Sequence, residues 1–174
     1  MYQTNQLATP VKLLIMDVDG VLTDGRIFIT ASGEEIKSFH TLDGHGLKML
    51  QKTGVKLAII TGRDAPSVAH RVKGLGIDYY FAGIHNKQQT FLTLLEQTGL
   101  NAKQCAYIGD DVVDLPVMNR VGFCVAVPQA HPEVLKRAHY VTQAAAGAGA
   151  VRELCDLIMH TQGTLDKALA EYLS

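Results

Sequence analysis

Acidic residues follow two apolar segments of this 174-residue chain, in each case where the segment ends. Asp17 and Asp19 form Asp-Val-Asp-Gly after the first segment, and Asp110 and Asp111 follow a later one. Carboxylates beside buried strands repel one another and lose hydration, so they require a cation or protonation. A hard divalent ion such as Mg²⁺ prefers oxygen ligands and meets that requirement. The pattern predicts a magnesium site, with a simple loop turn as the alternative for Asp-Val-Asp-Gly taken alone.

Anion-binding groups occur at two further positions. Thr61 and Arg63 follow another aliphatic segment, where a hydroxyl, backbone N–H groups and a guanidinium suit a phosphate oxygen. Lys87 begins a predicted helix, at the end where a positive charge opposes the helix dipole unless an anion lies opposite. Ordinary turn chemistry and a solvated lysine are the alternatives for these residues taken singly. Together with the carboxylates, Thr61, Arg63 and Lys87 occur in an order and spacing that would seldom arise by chance.

The segments that position these groups alternate between strands and helices. Short aliphatic runs are typical of strands that are buried on both faces of a parallel sheet. They occur at 11–16, 55–60, 105–108 and 123–127, and helical patterns occur at 43–53, 64–75, 87–98, 113–121 and 132–138. Asp64 is the expected N-cap of the second helix, before Pro66. This order predicts an α/β fold, a three-layer Rossmann-like parallel sheet with helices on both faces and ligands at the carboxyl ends of the strands.

One segment interrupts the alternation, residues 25–40, which we call the flap. Two stretches that favour strands, 26–30 and 35–39, surround a glycine-containing turn, so we expect a β-hairpin standing over the strand ends. A plain extension of the sheet is the alternative. We expect a single domain over 1–174, with no large cap domain and a C-terminal tail at about 144–174.

Composition excludes several other classes of protein. The net charge is −1 and 47 % of residues are hydrophobic, so bulk electrostatic binding to nucleic acid or to an anionic membrane is not expected. No apolar run approaches the roughly 20 residues that span a bilayer, and the N-terminal residues do not resemble a signal peptide. Cys105, Cys124 and Cys155 lie among apolar residues, which favours buried, reduced thiols over a metal or redox site. We therefore expect a cytoplasmic protein.

The chemistry-bearing residues resemble, in order, the four motifs of the haloacid-dehalogenase-like phosphohydrolase superfamily: Asp17 to Gly20, Thr61, Lys87 and Gly109 to Asp111. Longer segments are similar to the family of 3-deoxy-D-manno-octulosonate 8-phosphate phosphatases, namely 17–25, 37–40, 43–44, 107–111 and 114–116. That resemblance implies a small magnesium-dependent phosphatase that acts on a sugar acid phosphate in lipopolysaccharide biosynthesis. It also implies a homotetramer in which a neighbouring subunit closes each active site.

The resemblance assigns a role to each motif residue. Asp17 is implied to be the nucleophile that accepts the phosphoryl group, and Asp19 to be the general acid and base. Mg²⁺ is implied to bind the Asp17 carboxylate, the backbone carbonyl of Asp19 and Asp110. Thr61 and Lys87 are implied to bind the phosphoryl oxygens and to offset charge in the transition state.

Further residues are expected around this centre. Asp111 and Asp114 are expected to orient Lys87 and water at the metal. The substrate also carries a carboxylate and hydroxyl groups, and the residues expected to bind it are Asp19, His40, Thr41, Leu42, Asp43, Gly44, Lys48, Arg63, Arg71 and Lys87. For Lys48, Arg71 and the segment from His40 to Gly44, a solvated surface role is the alternative, whereas Arg63 is favoured as a ligand group.

The C-terminal tail departs from the family pattern. The resemblance suggests a Gly-Gly-Lys-Gly-Ala segment that reaches a neighbouring active site, whereas this chain has Ala146-Gly-Ala-Gly-Ala150 before Arg152 and Glu153. The lysine of that segment is absent, and whether the tail reaches a neighbouring site is left open.

Three other functions compete with this one. The same machinery serves phosphatases of a related nine-carbon sugar acid phosphate. A non-enzymatic oligomerisation module, as found attached to sugar-nucleotide synthetases, conflicts with the intact set Asp17, Asp19, Lys87 and Asp110. A phospho-receiver domain also carries clustered acids on a parallel sheet, but its first strand is usually followed by adjacent acids rather than by Asp-Val-Asp and a hairpin.

Overall fold

The computed structural model describes residues 2–173, so the first and last residues of the predicted 1–174 domain lie outside the described residues. Six parallel strands form the central sheet: β1 (Leu13–Met16), β4 (Lys56–Ile60), β5 (Tyr79–Phe81), β6 (Cys105–Gly109), β7 (Phe123–Ala126) and β8 (Tyr140–Val141). Their spatial order is β5-β4-β1-β6-β7-β8. The four strands predicted from aliphatic runs are confirmed, and they occupy the four central positions.

The register of the central strands explains why the motif residues meet. Met16, the last residue of β1, pairs with Ile59 of β4 on one side and with Ile108 of β6 on the other. All residues of β1, β6 and β7 are buried. The loops that follow β1, β4 and β6 therefore emerge together at one edge of the sheet, where parallel α/β sheets place their ligands.

Two groups of helices cover the sheet. The helices are α1 (Tyr2–Ala8), α2 (Thr41–Lys52), α3 (Pro66–Leu75), α4 (Lys87–Thr98), α5 (Leu115–Met118), α6 (Pro132–Leu135), α7 (Ala150–Thr161) and α8 (Leu165–Leu173). Helix α2 packs against α3, α7 and α8, whereas α4 packs against α5. The strand order reverses direction between β5 and β6, and right-handed crossovers then put the two groups on opposite faces. This arrangement confirms the predicted three-layer fold.

Several boundaries differ from the sequence expectations. The short strands β5 and β8 were not predicted, because they lie at the sheet edges, are only partly buried and lack an aliphatic run. The helix expected over 113–121 is reduced to α5, preceded by a 3₁₀ turn at Val112–Asp114. Asp64 is not the N-cap of α3; Ala65 holds that position without a side-chain hydrogen bond, and Pro66 supplies the fixed φ of the first helical residue.

The flap contains a short antiparallel hairpin, as its sequence predicts. Strands β2 (Phe28–Ile29) and β3 (Glu35–Ile36) pair with Phe28 opposite Ile36. Gly33 forms the turn with a φ of +84°, a conformation that favours glycine. The paired strands are shorter than the predicted 26–30 and 35–39.

The cysteines and the lengths of the helices can be compared with the expectations from composition. The three cysteines are buried free thiols, as predicted. Within 2–173, the helices are too short or too polar to cross a lipid bilayer.

Candidate active site

Asp17 is the first residue after β1 and is buried. Its Oδ1 accepts a 2.7 Å hydrogen bond from the Val18 N–H, and its Oδ2 lies 3.0 Å from Lys87 Nζ. Burial, and then the negative charge of Asp114, raise the pKa of Asp17 to about 6, although Lys87 acts in the opposite direction. The carboxylate is therefore fixed in orientation and poorly hydrated, so a further cation beside it is favourable.

Asp110 follows the neighbouring strand β6 and faces the loop after β1. Its Oδ1 is buried and accepts no hydrogen bond from the described residues. Burial, followed by the charges of Asp114 and Asp17, raises the pKa of Asp110 to about 7. Gly20 has a φ of +80°, and a Cβ atom there would overlap Asp110 Oδ2. A glycine is thus needed both for the turn and for the close approach of the loop to this carboxylate.

Asp114 anchors the groups around it. Its carboxylate is fully buried and accepts four hydrogen bonds. Oδ1 accepts from Lys87 Nζ at 2.7 Å and from the Tyr107 hydroxyl at 2.6 Å. Oδ2 accepts from the backbone N–H groups of Asp110 at 3.0 Å and Asp111 at 3.2 Å. Asp114 therefore holds both Lys87 and the turn after β6 in place.

The carboxylates form a donor set that suits a hard cation. Single oxygens of Asp17, Asp110 and Asp114 lie within 4.8 Å of one another. Because Asp114 is saturated with hydrogen bonds, Asp17 and Asp110 are the carboxylates with free acceptor capacity, and Asp110 has a buried oxygen without a donor. All ligand atoms are oxygens, as Mg²⁺ requires. The residues present therefore fit a magnesium ion.

Lys87 and Thr61 supply groups for an anion beside these acids. Lys87 is the first residue of α4, and its side chain is 4 % exposed. Burial lowers the pKa of Lys87, but the charges of Asp114 and Asp17 outweigh that effect, so its pKa is raised and the amine is cationic. Thr61 follows β4 and is also buried, with its backbone N–H donating to the Phe81 carbonyl at 3.0 Å.

One cleft of about 390 Å³ joins these positions, except Asp114, at the carboxyl ends of β1, β4 and β6. The predicted residues that line it are Asp17, Asp19, Thr61, Arg63, Lys87, Asp110 and Asp111. His85 and Val113 also line the cleft, and neither belongs to a motif by which it could have been found. A cavity of about 430 Å³ at the opposite end of the sheet is lined by Lys12 and Lys56 but by no carboxylate, so it offers no comparable chemistry.

Of the residues expected to bind the substrate, Asp19, Arg63 and Lys87 line this cleft, whereas the others do not line it within one chain. Thr41, Gly44, Lys48 and Arg71 instead line a second cleft of about 350 Å³ between α2 and α3. Its other ionisable lining residues are His45 and His70, so every titratable side chain that lines it is a base. We call this surface the basic cleft. It has the charge needed to bind an anionic group.

The remaining predicted residues, His40, Leu42 and Asp43, lie near the start of α2. The His40 carbonyl accepts a 3.2 Å hydrogen bond from Arg71 Nη2, and Leu42 is exposed. Asp43 is buried, and its Oδ1 accepts a 2.8 Å hydrogen bond from the Arg152 N–H in the first turn of α7. Burial raises the pKa of Asp43. In this chain Asp43 therefore joins α2 to α7 rather than facing the cleft.

Lys37 and Glu35 of the flap contact the site, although neither was predicted as a site residue. Lys37 Nζ donates a hydrogen bond to Asp19 Oδ1, and Glu35 forms an ion pair with Arg63. Tyr107 was also missed, because it lies within an aliphatic run that is typical of a protein core. Alternation along 35–39 places Glu35 and Lys37 on one side of the hairpin, which was the available signal.

Comparisons with known proteins show the family of this chain. A family model described as haloacid dehalogenase-like hydrolase matches residues 82–154. The chain is 48 % identical over 161 residues to 3-deoxy-D-manno-octulosonate 8-phosphate phosphatase KdsC of Escherichia coli K12, and the match covers 92 % of this chain and 86 % of that protein.

Solved structures extend the match to the whole fold. The crystal structure of 3-deoxy-D-manno-octulosonate 8-phosphate phosphatase from Moraxella catarrhalis, in complex with magnesium, phosphate and KDO, superimposes with a TM-score of 0.97 at 40 % identity and covers 99 % of both chains. The phosphatase of the same name from Yersinia pestis gives a TM-score of 0.93 at 45 % identity, over 94 % of this chain and 89 % of that chain. The chain therefore belongs to the haloacid dehalogenase-like hydrolases, and within them to the family of 3-deoxy-D-manno-octulosonate 8-phosphate phosphatases.

Proposed function

We propose that this chain is a magnesium-dependent phosphatase that hydrolyses 3-deoxy-D-manno-octulosonate 8-phosphate to the free sugar acid and phosphate. The observation that carries this proposal is the pair formed by the buried Asp17 and the half-buried Asp110, which lies beside the cationic Lys87 in one cleft. The Moraxella catarrhalis relative, solved with magnesium, phosphate and KDO, supports the choice of metal and substrate.

The metal would be held by the carboxylates of Asp17 and Asp110 and by the backbone carbonyl of Asp19. When bound, Mg²⁺ neutralises these acids and stabilises negative charge on the phosphoryl oxygens. Lys87 and Thr61 provide the protein's own donors for the same oxygens. Lys87 is held for that task by Asp114 and Tyr107.

Asp17 and Asp19 perform the two chemical steps in this proposal. Asp17 attacks phosphorus, the bond to the sugar oxygen breaks, and Asp19 transfers its proton to that oxygen. Water then attacks the aspartyl-phosphate, gives a proton back to Asp19 and releases phosphate with Asp17 restored. The net change consumes one water molecule for each ester bond, and both aspartates return to their starting state.

We assign the basic cleft to the carboxylate and hydroxyl groups of a substrate bound to a neighbouring subunit. Lys48 and Arg71 carry the matching charge but line a cleft separate from that of Asp17. A homo-oligomer, proposed to be a tetramer, brings the basic cleft of one subunit to the acidic cleft of the next. The flap, with Phe28 and Ile29 exposed, is a surface that such an assembly would cover. The family resemblance supports a role in lipopolysaccharide biosynthesis, and we propose that the reaction takes place in the cytoplasm.

Phosphate release from a panel of phosphorylated sugars tests this function. We expect the eight-carbon 3-deoxy sugar acid phosphate to give the highest kcat/KM, with no turnover in EDTA and recovery with Mg²⁺. A higher kcat/KM for the nine-carbon analogue would reassign the substrate, and equal turnover of simple phosphate esters would contradict the specificity.

Asp17→Asn separates a phosphatase from a non-enzymatic oligomerisation module. The amide of the replacement side chain is not a nucleophile, so turnover is expected to vanish while the melting temperature and oligomeric state persist. Asp166→Asn, an exposed change in α8, is the matched control and is expected to behave as the wild type. Undiminished turnover in Asp17→Asn would disprove the mechanism.

A further inference from the structure

The flap carries one lysine that is almost inaccessible to solvent. The Lys37 side chain is 1 % exposed, although the strands of the flap are largely exposed. A buried ammonium group is strongly unfavourable unless it is paired. Its partner is Asp19, whose Oδ1 accepts a hydrogen bond from Lys37 Nζ. Within 2–173, no other group donates a hydrogen bond to the Asp19 carboxylate.

Lys37 belongs to a closed ring of four alternating charges. Beyond its bond to Asp19, Lys37 Nζ lies 3.8 Å from Glu35 Oε2. Glu35 pairs with Arg63, and Arg63 Nε lies 3.9 Å from Asp19 Oδ2, which closes the ring. Two of the four charges come from the flap and the others from the loops after β1 and β4. The ring therefore connects the flap to the side chain that is proposed to move the proton.

The position of Lys37 distinguishes it from a substrate ligand. Asp19 and Arg63 line the cleft, whereas Lys37 does not. Its ammonium group contacts Asp19 from the flap side. An ammonium group is a donor only, so Lys37 uses an acceptor site of Asp19 Oδ1 and leaves the other carboxylate oxygen to interact elsewhere. That other oxygen is Oδ2, which accepts no hydrogen bond from residues 2–173 and lies 3.9 Å from Nε of Arg63 in the cleft wall.

We propose that Lys37 is a positioning residue for the reaction: the flap holds Asp19 Oδ1 through Lys37 and thereby presents Oδ2 to the leaving oxygen and to the attacking water. The inference rests on the proposed function, since it assigns Asp19 the proton transfers. It gives the flap a part in the chemical steps in addition to covering the site. Lys37 acts through Asp19 and makes no contact with substrate.

A double-mutant cycle between Lys37 and Asp19 tests the proposal. Steady-state phosphate release would be measured for the wild type, Lys37→Met, Asp19→Asn and the double variant, with whichever phosphate ester the wild type hydrolyses best. General acid–base catalysis contributes about 10²–10⁴-fold, so we expect Lys37→Met to lower kcat by roughly 10- to 100-fold with KM within about threefold. In the Asp19→Asn background, the same change is expected to alter the rate by less than about twofold.

Three controls make the result specific. Lys37→Arg keeps a cationic donor and is expected to recover most of the lost kcat. Lys136→Met removes an exposed lysine from a surface ion pair with Glu133 and is expected to leave kcat unchanged. If Lys37→Met does not fold, as judged by circular dichroism and melting, Lys37→Gln is put through the same cycle.

The outcomes separate the inference from the function on which it rests. Three results would each overturn the positioning role of Lys37. They are a wild-type kcat in Lys37→Met, a raised KM in place of a lowered kcat, and an equally large decrease in kcat when Lys37→Met is made in the Asp19→Asn background. The absence of sugar phosphate hydrolysis in the wild type would instead remove the proposed substrate, and the cycle on the best ester would still decide the role of Lys37.

Discussion

Lys87 Nζ and Asp114 Oδ1 lie 2.7 Å apart, and both side chains are buried. Lys87 begins α4, on one side of the cleft, and Asp114 ends the 3₁₀ turn after β6. Their contact fixes a cation beside Asp17, whose Oδ2 lies 3.0 Å from Lys87 Nζ. Because a buried charge without its partner is costly, each residue depends on the other. The cation beside Asp17 is therefore held in position by a buried ion pair, Lys87 with Asp114.

Tyr107→Phe tests this support by removing one hydrogen bond to Asp114. The Tyr107 hydroxyl remains protonated because burial raises its pKa well above the usual value, and it donates to Asp114 Oδ1. Loss of one buried hydrogen bond costs about 1–2 kcal/mol. We expect kcat to fall several-fold in Tyr107→Phe and by about 100-fold in Asp114→Asn, which loses the charge that holds Lys87.

Tyr140→Phe is the matched control for that experiment. It removes a 2.6 Å hydrogen bond between the Tyr140 hydroxyl and Glu153 in a different part of the fold. We expect a comparable change in melting temperature with an unchanged kcat. Equal kcat values for the Tyr107 and Tyr140 variants would show that Tyr107 does not support Lys87.

Gly20→Ala tests the close approach of the loop after β1 to Asp110. The added Cβ would overlap Asp110 Oδ2 and displace a proposed metal ligand. Overpacking of this kind costs about 1–3 kcal/mol, so we expect the Mg²⁺ concentration for half-maximal activity to rise by at least about tenfold.

Gly33→Ala separates this clash from backbone strain. Gly33 also has a positive φ, of +84°, but a Cβ there would meet no atom within 4 Å. We expect this variant to lose some stability while its Mg²⁺ requirement stays at the wild-type value. A similar Mg²⁺ requirement in both variants would refute the assigned role of Gly20.

The pKa values of Asp17 and Asp110 predict an unusual pH dependence of stability in the metal-free protein. Both values, about 6 and about 7, exceed the ordinary 3.8. An acid with a raised pKa binds its proton more tightly in the folded state, so its contribution to stability is complete below about pH 4 and is lost as the pH rises through about 6 to 7. At about 1.4 kcal/mol for each pKa unit, the shift of Asp17 taken alone corresponds to a loss of about 3 kcal/mol, and that of Asp110 taken alone to about 4 kcal/mol.

Denaturant unfolding in EDTA at several pH values measures that loss. The Asp110→Asn variant lacks one of the two acids and removes its repulsion from the other, Asp17. Its free energy of unfolding is therefore expected to fall less than that of the wild type between about pH 4 and about pH 8. Addition of Mg²⁺ at the higher pH is expected to stabilise the wild type and not the variant. Parallel curves for the two proteins would count against a shared buried charge.

Much of the site was predictable because strand ends are a local signal. An aliphatic run followed by Asp17 or Asp110 fixes both a buried strand and the edge at which its acid emerges. Parallel register then brings such acids together without any knowledge of side-chain contacts. The core fold and the acidic cleft follow from this rule.

The contacts made by longer-range packing were not predictable in the same way. Lys37 looks like an ordinary charged residue in an alternating strand until the hairpin is folded over Asp19. Asp43 looks like a pocket residue, yet it lies buried against α7. Its hydrogen-bond donor there, Arg152, is 109 residues later in the chain, so local sequence gives no sign of the contact. Placement of β5 and β8 likewise depends on their neighbours, because edge strands lack a continuous apolar pattern.

Subunit mixing tests whether the basic cleft and the acidic cleft of different chains form one active site. Arg71→Met and Asp17→Asn are each expected to be nearly inactive alone, since one lacks a charge for the substrate carboxylate and the other lacks the nucleophile. In a mixed oligomer, some sites pair an intact Asp17 with an intact Arg71 from the neighbouring subunit. After random assembly from equal amounts of the two variants, about one quarter of all sites are intact in this way. We therefore expect about one quarter of the wild-type activity after co-refolding. A mixture of Asp17→Asn with Asp110→Asn, whose defects lie in the same cleft of one chain, is expected to stay inactive. Failure of the first mixture to recover activity, with both variants folded and assembled, would mean that Arg71 does not serve a neighbouring site.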